Sequence, residues 1–329
     1  MAKGLAALET VFTARKLLAA RRLLLRGETL DVPAMRARGA VPDRGQETWL
    51  TEFAGLASEV VAEHLASDGA RRLEIRLADG ERIESVVMGD GGVCVSTQVG
   101  CAVGCRFCAS GIAGLARNLT SEEILEQVAH ARRIDPRLGR VVYMGIGEPT
   151  HNLDAVLAAA AVLAEAADIH ERSQTLSTVG SVRALERLRT ADVRPSLAVS
   201  VHAADDTLRR SLLPRAGKDS IADIVAAADA YADATGREVQ YAVALLAGVN
   251  DRERDAEELI RLMTGRRGYV NLIPWNHVPG VDYARPERDA AAAFAKRLRD
   301  RGIFTTLRWS VGVDADAACG QLRRDRLDP

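Results

Sequence analysis

The sequence predicts an α/β protein: an incomplete barrel of β/α units preceded by a small N-terminal α+β module. Three observations lead there. From about residue 140, short β-rich runs alternate with amphipathic helical stretches, which implies a parallel sheet built from right-handed crossovers. About six such units are present, too few for a closed barrel of eight strands. Before the alternation begins, the chain has a different rhythm, helices first and then a two-stranded hairpin.

Taken in order, a helix is predicted from Thr10 to Leu25, stopped by Gly27, and a second over about Thr48 to Leu65. RRLEIRLA (71–78) and RIESVVM (82–88) alternate as strands and are joined by Asp79-Gly80, a favoured hairpin turn. These residues, 1–85, make up the expected accessory domain, and residues 86–329 the core. In the core the predicted strands are VVYMGIG (141–147), TLSTVG (175–180), SLAVSVH (196–202), VQYAVALL (239–246), YVNLIPW (269–275) and TTLRWS (305–310). Helical patterns lie near 121–134, 152–168, 182–190, 219–234, 253–264 and 287–301. In such folds functional groups gather at the C-terminal ends of strands. Those ends here carry Gly147-Glu148, Ser177, Ser200-Val201-His202 and Asn276, so a ligand lying across the top of the sheet is expected.

Composition narrows the function. The longest clean apolar run, Ala155 to Ala164, is ten residues, against the ~20 that a membrane-spanning helix needs. Arg15, Lys16, Arg21 and Arg22 interrupt any secretory signal, so a cytoplasmic protein is expected, with no membrane partner. The 44 basic residues nearly balance the 45 acidic ones. Residues 1–40 depart from this balance, with eight Lys/Arg against Glu9, Glu28 and Asp31. That excess either meets phosphates or forms a solvated helix face.

Four of the five cysteines, Cys94, Cys101, Cys105 and Cys108, sit within fifteen residues; the fifth is Cys319. An odd count clustered in this way argues for a metal or redox site over a disulfide scaffold. Cys101, Cys105 and Cys108 form a C-x3-C-x2-C motif. Three thiolates on one short loop can hold three irons of a 4Fe-4S cube and leave the fourth iron open, free to chelate the amino and carboxylate groups of S-adenosylmethionine. Phe107 can shield one side. A zinc site is the alternative, with a fourth ligand drawn from Cys94, Cys319 or a histidine at unusual spacing.

The segment CVSTQVGCAVGCRFCASGIAGLARNLTSEEI (94–124) resembles the radical S-adenosylmethionine RNA methyltransferases that modify adenosine at C2 or C8, the RlmN/Cfr family. The likeness continues through MGIGEP (144–149), LSTVG (176–180), SVHAADDTLRRSLLP (200–214), GVND (248–251), VNLIPWN (270–276) and DAACGQL (316–322). The resemblance implies an incomplete (β/α)6 radical-SAM barrel. It implies that Cys101, Cys105 and Cys108 ligate the cluster. Gly147, Glu148, Ser177, Ser200, Val201, His202 and Asn276 then line the S-adenosylmethionine site.

By the same resemblance Cys319 is the methyl-carrying cysteine, placed on a mobile loop. Cys94 closes a disulfide with it to release product, and Glu84 is the general base. The segment between Glu84 and Cys94 is shorter than in the family pattern, and the first 70 residues resemble the family only loosely. The implied substrate is RNA, 23S rRNA first and tRNA second, with C2 favoured over C8. The implied electron donor is a flavodoxin or ferredoxin, and the expected state is a monomer. Arg15, Lys16, Arg21, Arg22 and Arg117 are candidates to track the RNA backbone, Arg117 alternatively an ion-pair partner. Two other functions remain compatible with the residues: the same two-cysteine chemistry on a non-RNA substrate, and an iron–sulfur RNA-binding sensor without turnover.

Overall fold

A computed structural model describes residues 4–52 and 54–323. The chain opens with four helices, α1 (Leu5–Val11), α2 (Ala14–Leu25), α3 (Val32–Ala37) and α4 (Arg44–Glu52). An antiparallel meander follows, β1 (Glu59–Leu65), β2 (Arg71–Arg76), β3 (Arg82–Val87) and β4 (Gly92–Cys94). A small separate hairpin, β5 (Gln98–Gly100) and β6 (Leu115–Asn118), brackets the cysteine loop. The remainder alternates: α5 (Ser121–Ile134), β7 (Arg140–Tyr143), α6 (Leu153–Ala166), β8 (Gln174–Thr178), α7 (Val182–Arg189), β9 (Ser196–Ser200), α8 (Asp206–Leu212), α9 (Ile221–Thr235), β10 (Val239–Leu245), α10 (Glu253–Met263), β11 (Gly268–Pro274), α11 (Arg288–Asp300) and β12 (Thr305–Leu307).

One sheet runs in the order β1-β2-β3-β4-β7-β8-β9-β10-β11-β12. From β4 onward all its pairings are parallel. β1 and β12 lie at opposite edges, so the barrel is open as expected. The β2–β3 hairpin forms at its expected place, with Gly80 at φ 90° in the turn.

Two expected helices change. The stretch from Thr10 to Leu25 breaks at Phe12 and Thr13, both extended, so α2 turns away from α1. The stretch from Thr48 to Leu65 is helical only to Glu52, and its second half is β1. Glu59, Val60 and Ala62 to Leu65 pair with β2, and this long-range ladder overrides the helix-favouring Ala, Glu and Leu of the segment. β4 was not anticipated either; at three residues it is too short to show alternation.

The expected division after residue 85 falls inside β3. A single apolar cluster reaches from Leu5 and Leu24 through Leu73 and Ile83 to Leu298. The run Ala155–Ala164 lies in α6, and α2 packs over α5 and α6, which explains its apolar character. Among the described residues no helix is long and apolar enough to cross a membrane.

Local signals fix the helix that follows the cysteine loop. The Thr120 hydroxyl accepts the Glu123 N–H at 3.2 Å and the Glu123 carboxylate accepts the Thr120 N–H at 2.9 Å, capping α5 on both sides.

Candidate active site

The cysteine loop starts where β5 ends. Gly100 has φ 81°, and a Cβ there would stand 1.9 Å from the Gly114 carbonyl oxygen, so only glycine lets the two limbs of the hairpin close. The Cys101 N–H then donates to that same carbonyl at 3.1 Å. A tight turn carries the Cys108 N–H onto the Cys105 carbonyl at 3.1 Å. The loop is fastened to the barrel by the Arg106 N–H on the Leu212 carbonyl (2.9 Å) and by the Trp275 indole N–H on the Phe107 carbonyl (2.8 Å). Val103 and Phe107 of the loop pack with Leu212, Leu213, Leu246 and Trp275 in one apolar cluster.

These surroundings disfavour bare thiolates. Burial pushes the Cys101 thiol up to about 12. It raises Cys105 and Cys108 as well, and for Cys105 the charges of Cys108, Cys101 and Glu148 add to the effect. Three sulfurs crowded in an apolar seat need a cationic group if they are to ionise, and soft thiolate donors suit iron–sulfur chemistry. Among the described residues no three His, Cys, Asp or Glu side chains close on one ion position.

The strand ends meet above this loop. Gly147, at φ 114°, leaves no room for a side chain, since a Cβ would stand 2.7 Å from Gln98 Cβ and 2.8 Å from Thr97 Oγ1. That Thr97 hydroxyl is buried without a hydrogen-bond partner. The Glu148 carboxylate accepts the Thr150 N–H (3.1 Å), the Thr150 hydroxyl (2.7 Å) and the Val179 N–H (2.9 Å), tying the top of β7 to that of β8. Ser177 lies on β8 and Ser200 ends β9. The Val201 N–H bonds the Ala242 carbonyl at 2.9 Å. His202 follows with φ 58°; its Nδ1 accepts the Ala244 N–H at 3.0 Å, and its ring meets Phe107 edge-on, centroids 4.9 Å apart. Burial, with Arg209 nearby, pulls this imidazole down to about 3, so it is neutral at physiological pH and carries its proton on Nε2.

Asn276 is directed elsewhere by its own bonds. Its Nδ2 donates to the Cys319 carbonyl at 3.0 Å and to the Ser310 hydroxyl at 2.9 Å, and its Oδ1 accepts from Arg285 Nη2 at 2.9 Å. It therefore anchors the Cys319 segment, which is stitched down at several points. The Ala109 N–H, beside Cys108, donates to the Gly320 carbonyl at 2.8 Å. Gln321 Nε2 donates to the His277 carbonyl at 2.9 Å. The Ser110 hydroxyl donates to the Leu322 carbonyl at 2.8 Å.

From the other side, the Ser67 N–H bonds Asp314 (2.9 Å), the Gly312 N–H bonds Asp68 (2.7 Å) and Arg72 Nε bonds the Ala315 carbonyl (2.8 Å). Cys319 itself stays exposed. Gly320 beside it is bonded to Ala109, next to Cys108, and Ala317 and Leu322 on either side pack in one apolar cluster with the buried Cys94. Glu84, on β3, is buried; Arg72 Nη1 pairs with its carboxylate and the Arg323 N–H donates to it at 2.7 Å.

Sequence reasoning missed Arg209 as a part of the site, although it lies within the quoted SVHAADDTLRRSLLP run. Its buried guanidinium donates to the carbonyls of Val179 and, at 3.2 Å, Val201, joining two strand ends. Asn250, inside GVND, donates to the His202 and Ala244 carbonyls at 2.7 and 2.8 Å. Two candidates for RNA contact have other partners: Arg117 is paired with Asp79 and Glu123, and Arg21 with Glu9.

An open parallel sheet headed by a three-cysteine loop is the frame of a radical S-adenosylmethionine protein, and residues 95–262 match the Radical SAM superfamily. A probable RNA methyltransferase of Leptothrix cholodnii is 46% identical over 280 residues, 85% of this chain and 80% of the relative. A probable RNA methyltransferase of Thiobacillus denitrificans is 45% identical over 310 residues, 93% of this chain and 85% of the relative. The crystal structure of a radical SAM methyltransferase from Sphaerobacter thermophilus superposes with a TM-score of 0.86 at 39% identity, covering 94% of this chain and 92% of the other. The chain belongs to the radical SAM RNA methyltransferase family. The family implies a 4Fe-4S cluster and S-adenosylmethionine as cofactors.

Proposed function

We propose that this protein methylates a ring carbon of adenosine in RNA, C2 ahead of C8, with 23S rRNA as first substrate and tRNA as second, through a methylated Cys319. The observation that carries the reading is the seat of Cys319, exposed on a bonded segment whose Gly320 meets Ala109 beside Cys108 and whose Ala317 and Leu322 pack with Cys94. Cys101, Cys105 and Cys108 would hold the cluster. Gly147, Glu148, Ser177, Ser200, Val201, His202 and Asn276 would line the S-adenosylmethionine site beside it, and Asn276 also holds the Cys319 segment. Cluster and S-adenosylmethionine, when bound, supply the methyl group and the radical chemistry that an unreactive aromatic carbon requires.

The chain's own groups do the rest. The Cys319 sulfur takes up the methyl carbon and carries it to the base. The Glu84 carboxylate receives the proton that leaves the ring carbon. The Cys94 thiolate attacks the Cys319 sulfur; a sulfur–sulfur bond forms and the carbon–sulfur bond to the product breaks. Burial holds Cys94 in its thiol form until the attack.

Residues 1–85 would serve as an accessory part and 86–329 as the methyltransferase core, in the cytoplasm, with electrons from a flavodoxin or ferredoxin. The test is anaerobic reconstitution with iron and sulfide, reaction with S-adenosylmethionine, reductant and 23S rRNA, and nucleoside mass spectrometry. 2-Methyladenosine is the expected product. The 8-methyl isomer would move the site of reaction. Neither product, with 5′-deoxyadenosine still formed, would overturn the RNA assignment.

A further inference from the structure

Several arginines of the N-terminal helices are taken by carboxylates: Arg21 by Glu9, Arg26 by Asp168, Arg36 by Glu47 and Arg38 by Glu28. Arg285 and Arg288 are arranged differently. Among the described residues no carboxylate pairs with either, and both guanidinium groups stand over one ring, that of Trp309, with Cζ 4.9 and 4.5 Å from its centroid. Arg285 Nε is buried and has no hydrogen-bond partner. Arg288 is exposed and opens α11, so a cation occupies the positive end of a 13-residue helix. Burial and the neighbouring Arg288 charge both work against protonation of Arg285. Two cations held together against their own repulsion, with a buried donor of one of them unused, make a site for an anion.

We propose that Arg285 and Arg288, held together by Trp309, clamp a phosphodiester group of the RNA next to the target nucleotide. This rests on the reading of the chain as an RNA adenosine methyltransferase. The position of the clamp favours RNA over the acidic surface of an electron-donor protein. Arg285 Nη2 bonds Asn276, and Asn276 in turn bonds the Cys319 carbonyl and Ser310, the neighbour of Trp309 in sequence. The clamp is thus two hydrogen bonds from the main chain of the residue that must meet the substrate base. A planar guanidinium fork matches phosphate oxygens in pairs, which a lysine does not.

The test uses reconstituted full-length enzyme and transcribed 23S rRNA, with KM, kcat and the salt dependence of KM read for wild type, Arg288→Gln and Arg285→Lys. For Arg288→Gln we expect KM to rise roughly tenfold and the slope of log KM against log salt to fall by about 0.7 to 0.9, the loss of one phosphate contact. Arg285→Lys keeps the charge and loses the fork, so KM rises while the slope holds. An unchanged KM and slope in Arg288→Gln, in a preparation whose wild type methylates RNA, overturns the clamp. A defect seen only with a flavodoxin donor, and absent with dithionite, also overturns it and assigns the patch to the donor. A wild type that methylates no RNA overturns the underlying reading instead.

Discussion

His202 takes a left-handed backbone conformation at the end of β9, with Nδ1 fixed on the Ala244 N–H and the ring against Phe107. Its pKa is pulled from 6.5 to about 3, and that of His130, beneath α1 and β1, to about 4, in both cases first by burial. As pH falls below about 6.5, the unfolded chain therefore takes up protons that the folded protein refuses. Stability from both groups is complete above that pH and is lost progressively down to 4 and then 3, on the order of 4 kcal/mol for His202 at full extent. His202→Asn keeps an acceptor for Ala244 and tolerates positive φ. It is expected to flatten the fall of the urea midpoint between pH 6.5 and 4, and a wild-type profile in this variant would refute the account.

The cysteines give a second prediction at this scale. Cys319→Ala should lose methylated nucleoside to background while still binding S-adenosylmethionine in equilibrium dialysis. Turnover without Cys319 would remove the methyl-carrier role. Cys94→Ala should accumulate a covalent protein–RNA adduct, visible on a denaturing gel. The three loop cysteines were legible because their spacing is local. The contact of Asn276 with Cys319 spans 43 residues and leaves no pattern in either segment.

Among elements, β2 and β3 extend the barrel sheet and carry a buried ionic cluster. Arg72 pairs with Glu74 and Glu84 and also holds the Ala315 carbonyl. Arg72→Met removes a buried cation from the Glu84 carboxylate, and a loss of stability of up to about 3 to 5 kcal/mol is expected by urea unfolding. Arg72→Met combined with Glu84→Gln should lose less, because the buried negative charge is removed together with its cation; equal losses would mean that the pair contributes nothing beyond packing. The hairpin of these strands was readable from alternation and its Asp79-Gly80 turn. β1 was not, since its residues suit a helix and only the ladder with β2 decides otherwise. β4 and β5, at three residues each, are defined by their partners.

For the whole molecule, the alternation after residue 140 reported the open parallel sheet well, because each β/α unit carries its own periodicity. The join to the N-terminal residues was less visible. The Glu126 carboxylate on α5 receives N–H groups from Leu5 (3.2 Å), Ala57 (3.0 Å) and Ser58 (2.7 Å), and the apolar cluster passes through without a gap. One calorimetric transition is therefore expected on heating; two resolved transitions would show that residues 1–85 unfold by themselves.

The seat of Cys319 has a consequence in time. Its anchors come from distant parts of the chain: the Ser67–Asp68 turn, Ala109 and Asn276. Cys319 itself follows the loop cysteines by more than two hundred residues. At roughly 5 to 20 residues per second, the ribosome delivers the three loop thiols some tens of seconds before the fifth cysteine exists. During that interval the nascent barrel can pair its strands with no methyl acceptor beside the loop. The exposed thiol is thus added last, and the same late segment, through Gly320 and Leu322, closes over the residues next to the loop cysteines.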